Sequence, residues 1–207
     1  MPENKILFRA SFSVCSLWYQ KKINDAIKAY FKIEGFVPKE WIIGKGYHEL
    51  WQKQIERTSK LPEELGGSQL INPICEEKMV INGKELSPYA DFMEVVFVPD
   101  CIDLGNMEVL EFKTGTGSSS NYARGWQGIL YGYLLHIKGY PVKKVKIIRY
   151  NQYTKETEVS IIWITEKTNR MAKEWIISMA SDMHAYLMEN DLYSKFKELN
   201  DIELLDD

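Results

Sequence analysis

The stretch from Met107 to Ser120, MEVLEFKTGTGSSS, carries a glutamate and a lysine two positions apart at the end of an apolar run. Side chains alternate along a β-strand, so Glu111 and Lys113 would share one face and Phe112 would point to the other. Opposite charges on one strand face can form an exposed ion pair, or they can take part in chemistry at the strand end. The pair alone leaves both interpretations open.

A third charged residue favours a catalytic role for Glu111 and Lys113 over an exposed ion pair. Asp91, in PYADFMEV, lies at the head of the preceding predicted strand, and the turn around residues 100–106 joins the two strands. We therefore expect strand pairing to bring Asp91 close to Glu111, where two carboxylates repel unless a cation lies between them. Mg²⁺ takes one or two carboxylates, water and phosphate oxygens as ligands. Lys113 beside such an ion would steady a developing negative charge, which favours phosphodiester hydrolysis.

Two further positions could belong to the same site. His48 lies near the start of an amphipathic helical segment, and Gly44 four residues earlier would let that segment approach a sheet closely. Gln127 and Tyr131 are four apart, so they share one face of the helix predicted to follow the Glu111–Lys113 strand. His48 could equally be a packing residue, and Gln127 could be a polar neighbour of the core.

Hydrophobic periodicity and turn residues predict an alternating series of helices and strands. The predicted elements are helices over residues 14–31 and 37–60, strands over 74–81, 87–99 and 107–114, a helix within 118–139, strands over 142–150 and 158–165, and a helix over 167–188. Asn82-Gly83 favours a hairpin between the first two strands, and the first three strands are expected to form a meander. This order predicts a mixed α/β domain in which a helix crosses between strands of one sheet.

Composition limits the protein class. The chain has 207 residues, 45% hydrophobic and 27% charged, which is typical of one folded domain. No apolar run is long enough to cross a membrane, and the first residues lack the apolar core of a signal peptide. Three scattered cysteines argue against a disulfide framework and a cysteine-based metal site, so we expect a cytoplasmic protein.

Charge gives a local rather than a global indication of nucleic acid. The net charge is −3, yet residues 138–149, KGYPVKKVKIIR, form a basic run that favours a nucleic-acid partner. A solvated strand face would explain the same run.

Taken together, these residues give the chain a resemblance to PD-(D/E)XK nucleases, and among them to the RecB-type exonuclease domains. The matching features are GxxxH in GKGYH, Asp in YAD, ExK in EFK and QxxxY in QGILY, in the expected order. A serine-containing first helix is a weaker likeness, and the resemblance extends from about residue 11 to 165. The proline of the superfamily motif is replaced by Ala90 in this assignment.

The resemblance implies a fold and a set of site residues. The expected fold is α/β with a restriction-endonuclease-like core, a mixed central sheet of about five strands flanked by helices, in a single domain over residues 1–207 with N-terminal helices and a short acidic C-terminal tail. The implied metal ligands are His48, Asp91, Glu111 and the backbone carbonyl of Phe112; the catalytic residues are Asp91, Glu111 and Lys113; and the residues touching DNA are Gln127 and Tyr131.

The same resemblance implies a function. The chain is expected to be a Mg²⁺- or Mn²⁺-dependent DNA nuclease in which a metal-activated water attacks phosphorus. An exonuclease is favoured, with an endonuclease or a non-catalytic DNA-binding member of the fold as alternatives. Some relatives hold an iron–sulfur cluster on four cysteines, and because this chain has three, no cluster is expected. The family also suggests roles in DNA recombination or repair, with a recombination or helicase protein as partner, and no membrane association.

Overall fold

The computed structural model describes residues 6–33 and 39–200, so the acidic tail at residues 201–207 lies outside the described residues. The strands are β1 (Phe8–Ala10), β2 (Pro73–Cys75), β3 (Met79–Asn82), β4 (Met93–Phe97), β5 (Cys101–Asp103), β6 (Glu108–Thr114), β7 (Lys144–Tyr150) and β8 (Thr157–Trp163). The helices are α1 (Phe12–Tyr19), α2 (Ile23–Tyr30), α3 (Lys39–Thr58), α4 (Gly83–Leu86), α5 (Ser119–Ala123), α6 (Trp126–Ile137), α7 (Glu166–Glu189) and α8 (Leu192–Asn200). No helix in the described ranges is both long and apolar enough to cross a membrane.

The strands form two sheets. The larger has five strands in the order β2-β5-β6-β7-β8, with β6 and β7 parallel and the other neighbours antiparallel. The helices α5 and α6 make the crossover that a parallel pair requires. This mixed five-stranded sheet flanked by helices confirms the predicted fold class. The smaller sheet has the order β1-β4-β3.

Alternating side chains on the large sheet face two different cores. Val109, Val145 and Ile147 face the main core, which includes residues of α1, α6 and α7. Leu110 and Phe112 face a smaller core, where Trp51 and Ile55 of α3 cover them. The sheet is thus covered on both faces along β6, whereas Val159, Ile161 and Trp163 of the edge strand β8 are exposed.

The predicted meander is wrong in one consequential respect. The strand β4 pairs with β3 and β1, whereas β6 pairs with β5 and β7, so no described register joins β4 to β6. The predicted strand over residues 74–81 is likewise two short strands that belong to different sheets. The reason lies at residues 98–100, where the chain leaves one sheet and enters the other between β4 and β5.

The Asn82-Gly83 signal marks a turn of a different kind from the one predicted. Strands β3 and β4 do pair antiparallel, but Asn82 caps the short helix α4 instead of forming a two-residue hairpin. Its side chain accepts a hydrogen bond from the Lys84 amide at 3.0 Å, and the Asn82 amide donates one to the Glu85 carboxylate at 2.9 Å. This capping box stabilises a helix start, which a local Asn-Gly pattern does not distinguish from a hairpin turn.

Candidate metal centre

The ring of Phe112 anchors β6 to α3. The ring is buried and packs against Trp51 of α3 with ring centroids 5.6 Å apart, and His48 lies edge-on at 6.1 Å. The prediction that Phe112 points away from Glu111 and Lys113 is confirmed, because Lys113 Nζ lies 2.6 Å from Glu111 Oε1 on the opposite face. Packing of the Phe112 ring against α3 therefore fixes the position of Glu111 and Lys113.

The carboxylate beside β6 is that of Asp100. Its Oδ2 accepts a hydrogen bond from the Phe112 amide at 2.6 Å, and its Oδ1 lies 3.4 Å from Nδ1 of His48. Opposite it, the Glu76 amide donates to the Asp100 carbonyl at 3.2 Å, continuing the antiparallel pairing of Cys75 with Cys101. The ligand atoms of His48, Glu76 and Asp100 all lie within 4.8 Å of one another. One group thus comes from α3, one from the residue that follows β2 and one from the residue that precedes β5.

Glu111 is the most deeply buried carboxylate of the site, with 2% of its surface exposed. Both Lys113 and the side-chain amide of Gln127 donate to its Oε1, whereas its Oε2 has no hydrogen-bond partner among the described residues. Burial, followed by repulsion from Asp100, raises the pKa of Glu111 to about 7. A buried, unpartnered carboxylate oxygen is costly unless a cation or a proton satisfies it.

The basic groups of the site respond to these carboxylates. Burial lowers the pKa of Lys113, but the charges of Glu111 and Asp100 outweigh it, so the net shift is upward. The pKa of His48 is also raised overall, because the hydrogen bond and charge of Asp100 exceed the opposing effect of burial. Burial and then Asp100 raise the pKa of the Glu76 carboxyl group. Burial is the largest influence on each of these pKa values, and the charge of Asp100 contributes to all of them.

This donor set fits a hard divalent cation. Carboxylate oxygens and an imidazole nitrogen are ligands that Mg²⁺ and Mn²⁺ accept, and the unpartnered Oε2 of Glu111 is an oxygen that a cation would satisfy. The three atoms from His48, Glu76 and Asp100 are close enough to share one ion. The backbone carbonyl of Phe112 lies between Glu111 and Lys113 in the chain, and its role as a ligand stays a prediction.

The structure does not bring Asp91 to this cluster. Asp91 precedes β4, in the turn where Ala90 contacts the start of α4, whereas Asp100 follows the other end of that strand. The expected approach of Asp91 to Glu111 depended on pairing between β4 and β6, and each strand has other partners. The signal that could have identified Asp100 is the dipeptide Pro99-Asp100, which supplies the proline that the assignment to Ala90 lacked.

The helix α6 contributes Gln127, but its amide is used inside the protein. It donates to Glu111, and Tyr131 one turn later has 8% of its surface exposed. Burial raises the pKa of the Tyr131 hydroxyl, which also hydrogen-bonds with Gln127. Gln127 thus contacts Glu111 and Tyr131 contacts Gln127, and the DNA contacts of the two residues stay a prediction.

Sequence reasoning missed Glu76 and overvalued the basic run at residues 138–149. Glu76 lies in no motif, and only the pairing of β2 with β5 brings it opposite Asp100. In the basic run, Lys144 and Lys146 pair with the buried Glu108 at 2.8 and 2.7 Å, and Arg149 pairs with Glu158 at 2.8 Å. Paired cations contribute little to the attraction of phosphates, so these three side chains are not free for a nucleic acid, whereas Lys138 and Lys143 of the same run are exposed.

A cavity of about 900 Å³ opens beside the cluster. One wall is α3, whose Gly44 approaches the end of β6 so closely that a Cβ there would lie 2.5 Å from Thr114 Oγ1. Lys113 and His48 both line the cavity, together with Glu76. The clustered groups are therefore reachable by a ligand that enters between α3 and the ends of β6 and β7.

No protein-family model matches the sequence, and no curated protein matches it significantly. Two solved structures share its fold. One is the crystal structure of the protein SSO0001, with a TM-score of 0.53 and 11% identity over 89% of this chain and 79% of that chain. The other is an alkaline exonuclease, LHK-Exo, from Laribacter hongkongensis, with a TM-score of 0.53 and 8% identity over 91% of this chain and 94% of that chain. The chain therefore has the fold of these two structures, one of which is an alkaline exonuclease.

Proposed function

We propose that the protein is a divalent-metal-dependent DNA nuclease that hydrolyses phosphodiester bonds at the end of β6. The observation that carries the proposal is the cluster of Asp100, Glu111 and Lys113 with His48 and Glu76, of which Lys113, His48 and Glu76 line one open cavity. Carboxylates gathered this closely repel each other without a cation, and Asp100 and Glu111 both act on the charge of Lys113.

In this proposal, Mg²⁺ or Mn²⁺ is held by His48, Asp100 and Glu111, with Glu76 and the Phe112 carbonyl completing the set. Asp100 replaces Asp91 in that role. The cation supplies Lewis acidity toward a phosphate oxygen and lowers the pKa of water. The cluster's carboxylates would therefore repel a phosphodiester without the ion and accept it with the ion.

The chain's own residues supply the remaining steps. The Lys113 ammonium, 2.6 Å from Glu111, is a fixed positive charge that can donate to the phosphate or orient the attacking water. Hydrolysis adds that water to phosphorus, breaks the bond to the leaving oxygen and returns a proton to that oxygen. Gln127 holds the Glu111 carboxylate by its side-chain amide, so that the carboxylate keeps one orientation during the reaction.

The choice of an exonuclease over an endonuclease is the finer part of the proposal. Its support is that the chain's fold resembles that of an alkaline exonuclease. The cavity agrees with it, because its volume of about 900 Å³ is at the upper end of the about 300–1,000 Å³ typical of small-molecule sites, which leaves room for a nucleotide at a strand end.

The proposal is tested by digestion of end-labelled linear DNA and of a closed circle with Mg²⁺, Mn²⁺ or EDTA. Wild type is compared with Lys113→Ala and with Lys84→Ala, a control at an exposed lysine on α4. We expect metal-dependent loss of linear DNA alone, reduced about 100-fold or more in Lys113→Ala and unchanged in the control. Cutting of the circle would instead indicate an endonuclease. Binding without cleavage in every condition would refute catalysis and favour a DNA-binding member of the fold.

A further inference from the structure

The cavity beside the metal centre has two walls of different chemistry. The α3 wall is charged and carries Lys45, His48 and Glu49. The other wall is formed by residues 114–116 and by Gln152 and Tyr153 of the turn between β7 and β8, and none of these residues is charged. A nucleotide has a charged phosphate and an uncharged, flat base, so the two walls correspond to its two parts.

The uncharged wall presents an aromatic ring to the cavity. Tyr153 has 66% of its surface exposed, although it lies in an ordered turn and not on a loose terminus. The Asn151 side chain fixes that turn by accepting hydrogen bonds from the amides of Tyr153 at 2.9 Å and Thr154 at 3.3 Å. A large ring held at a fixed place in water offers stacking area at low entropic cost to a ligand.

Another aromatic residue packs this part of the chain against α3, so the Tyr153 ring is not needed for that packing. Tyr150, three positions earlier, is buried and packs against Tyr47 at 5.5 Å and Trp51 at 5.8 Å. Those contacts set the distance between the β7–β8 turn and α3. Among the described residues, no aromatic ring packs against Tyr153.

Gln152 adds a polar group to the same wall. It lines the cavity, and its Oε1 is shielded from solvent without a hydrogen-bond partner in the described part of the chain. An amide can both donate and accept, which matches the mixed donors and acceptors along the edge of a base.

Resting on the proposed nuclease function, we propose that Tyr153 and Gln152 form a nucleobase platform for the substrate strand. An unpaired base adjacent to the phosphodiester bond at Lys113 stacks on the Tyr153 ring, and the Gln152 amide hydrogen-bonds its edge. The substrate class is therefore DNA with a single-stranded end. Stacking on an aromatic ring tolerates every base, so the platform selects for an unpaired base and not for a sequence.

The test measures binding apart from cleavage. Single-stranded oligonucleotides carry the fluorescent base 2-aminopurine, or an abasic site, at each of the last three positions of either end. They are titrated in Ca²⁺ against Lys113→Ala protein, so that the strand stays intact, and against the same protein with Tyr153→Ala, Tyr153→Phe or Tyr89→Ala. Tyr89 is a matched control, because it is 89% exposed and does not line the cavity.

We expect quenching of 2-aminopurine at one end position, lost in Tyr153→Ala together with about 5- to 150-fold of affinity. Tyr153→Phe and Tyr89→Ala should behave as the parent. The abasic oligonucleotide should bind the parent and Tyr153→Ala equally, a result that a merely structural role of Tyr153 would not produce. Equal binding of the 2-aminopurine strand by both proteins, or an equal loss on the abasic strand, would overturn the platform.

Failure of the platform is distinguishable from failure of the proposed function. If wild type hydrolyses DNA and Tyr153→Ala matches its kcat/KM on intact and abasic strands, the nuclease stands and the platform is refuted. If wild type binds and quenches 2-aminopurine but hydrolyses nothing, the platform stands and the nuclease is refuted.

Discussion

The carboxylate of Asp100 accepts a hydrogen bond from the backbone amide of Phe112 at 2.6 Å. This contact joins the residue before β5 to the centre of β6, between the two charged residues Glu111 and Lys113. The other oxygen of Asp100 lies 3.4 Å from His48 on α3. One carboxylate therefore connects β6 to α3 at the candidate metal centre, and its removal should affect both cation binding and the placement of β6.

Substitutions of Asp100 and Asp91 test which of these two aspartates belongs to the metal centre. Asp100→Asn should lower kcat/KM at least about 100-fold, because it removes the charge of a proposed metal ligand. Loss of a group that only hydrogen-bonds to a metal ligand already costs about 10–100-fold in metal affinity or activity. Asp91→Asn should stay within a few-fold of wild type, since Asp91 lies at the other end of β4. Steady-state hydrolysis of linear DNA at saturating Mg²⁺ measures both. A large loss in Asp91→Asn with a normal Asp100→Asn would reverse the assignment.

Gln127 should act through Glu111 and not through DNA. Because its amide donates to Glu111 Oε1, Gln127→Ala should leave that carboxylate less ordered and weaken Mn²⁺ binding by about 10- to 100-fold. Calorimetric titration of the protein with Mn²⁺ gives the affinity, and Gln20→Ala, at an exposed glutamine on the end of α1, serves as control. Unchanged Mn²⁺ affinity together with weakened DNA binding would instead support the predicted DNA contact.

Glu111 should make the stability of the metal-free protein depend on pH. Its folded pKa of about 7 lies above its ordinary value of 4.5, so the folded state holds a proton that the unfolded state releases. That contribution is present in full below the unfolded pKa and is lost as pH rises through 7, by up to about 3 kcal/mol. Urea unfolding in EDTA from pH 4 to 8 measures the loss.

Two comparisons assign that pH dependence to Glu111. Glu111→Gln should flatten the profile, because the amide does not titrate. Mg²⁺ should restore stability most strongly at pH 8, where the carboxylate is ionised and a bound ligand adds free energy by mass action. A profile equally steep in Glu111→Gln would assign the dependence to another group, such as His48.

The sequence predicts where a residue lies only when the signal comes from its own element or from the next one along the chain. The placement of Glu111 and Lys113 on one face of β6 followed from alternation within a single strand, and Gln127 followed from helical spacing one element later. The choice of Asp91 depended on which strands pair, and no local pattern reveals that the chain changes sheets between β4 and β5. Glu76 is brought opposite Asp100 by strand pairing across 23 intervening residues, so its own neighbours in sequence carry no signal.

Phe112 should matter for stability more than for chemistry. Its ring is 2% exposed and fills the space against Trp51, so Phe112→Ala should cost about 3–5 kcal/mol of unfolding free energy by leaving a cavity. Phe112→Leu keeps most of the volume and should cost less than about 1.5 kcal/mol. Urea unfolding of both variants tests this, and equal costs for Ala and Leu would show that the ring does not fill a tightly packed site.

Gly44 should control how closely α3 approaches the end of β6. A Cβ at this position would lie 2.5 Å from Thr114 Oγ1 and 3.7 Å from Thr114 Cβ, and β-branched Thr114 has few rotamers that avoid it. Gly44→Ala should therefore displace α3 and move His48, one turn later, relative to Asp100. Since misplacement of about 1 Å can cost about 100-fold in rate, activity should fall more than stability, which the helix propensity of alanine helps to maintain.

The double variant Gly44→Ala/Thr114→Ala distinguishes this clash from a general effect of substitution. Without Oγ1, the nearest remaining contact is 3.7 Å between the two β-carbons, an ordinary van der Waals distance. The double variant should thus recover kcat/KM to within a few-fold of Thr114→Ala alone, which is the reference because Thr114 itself lines the cavity. If the double variant were as inactive as Gly44→Ala, the glycine would be needed for a reason other than the close approach of α3 to β6.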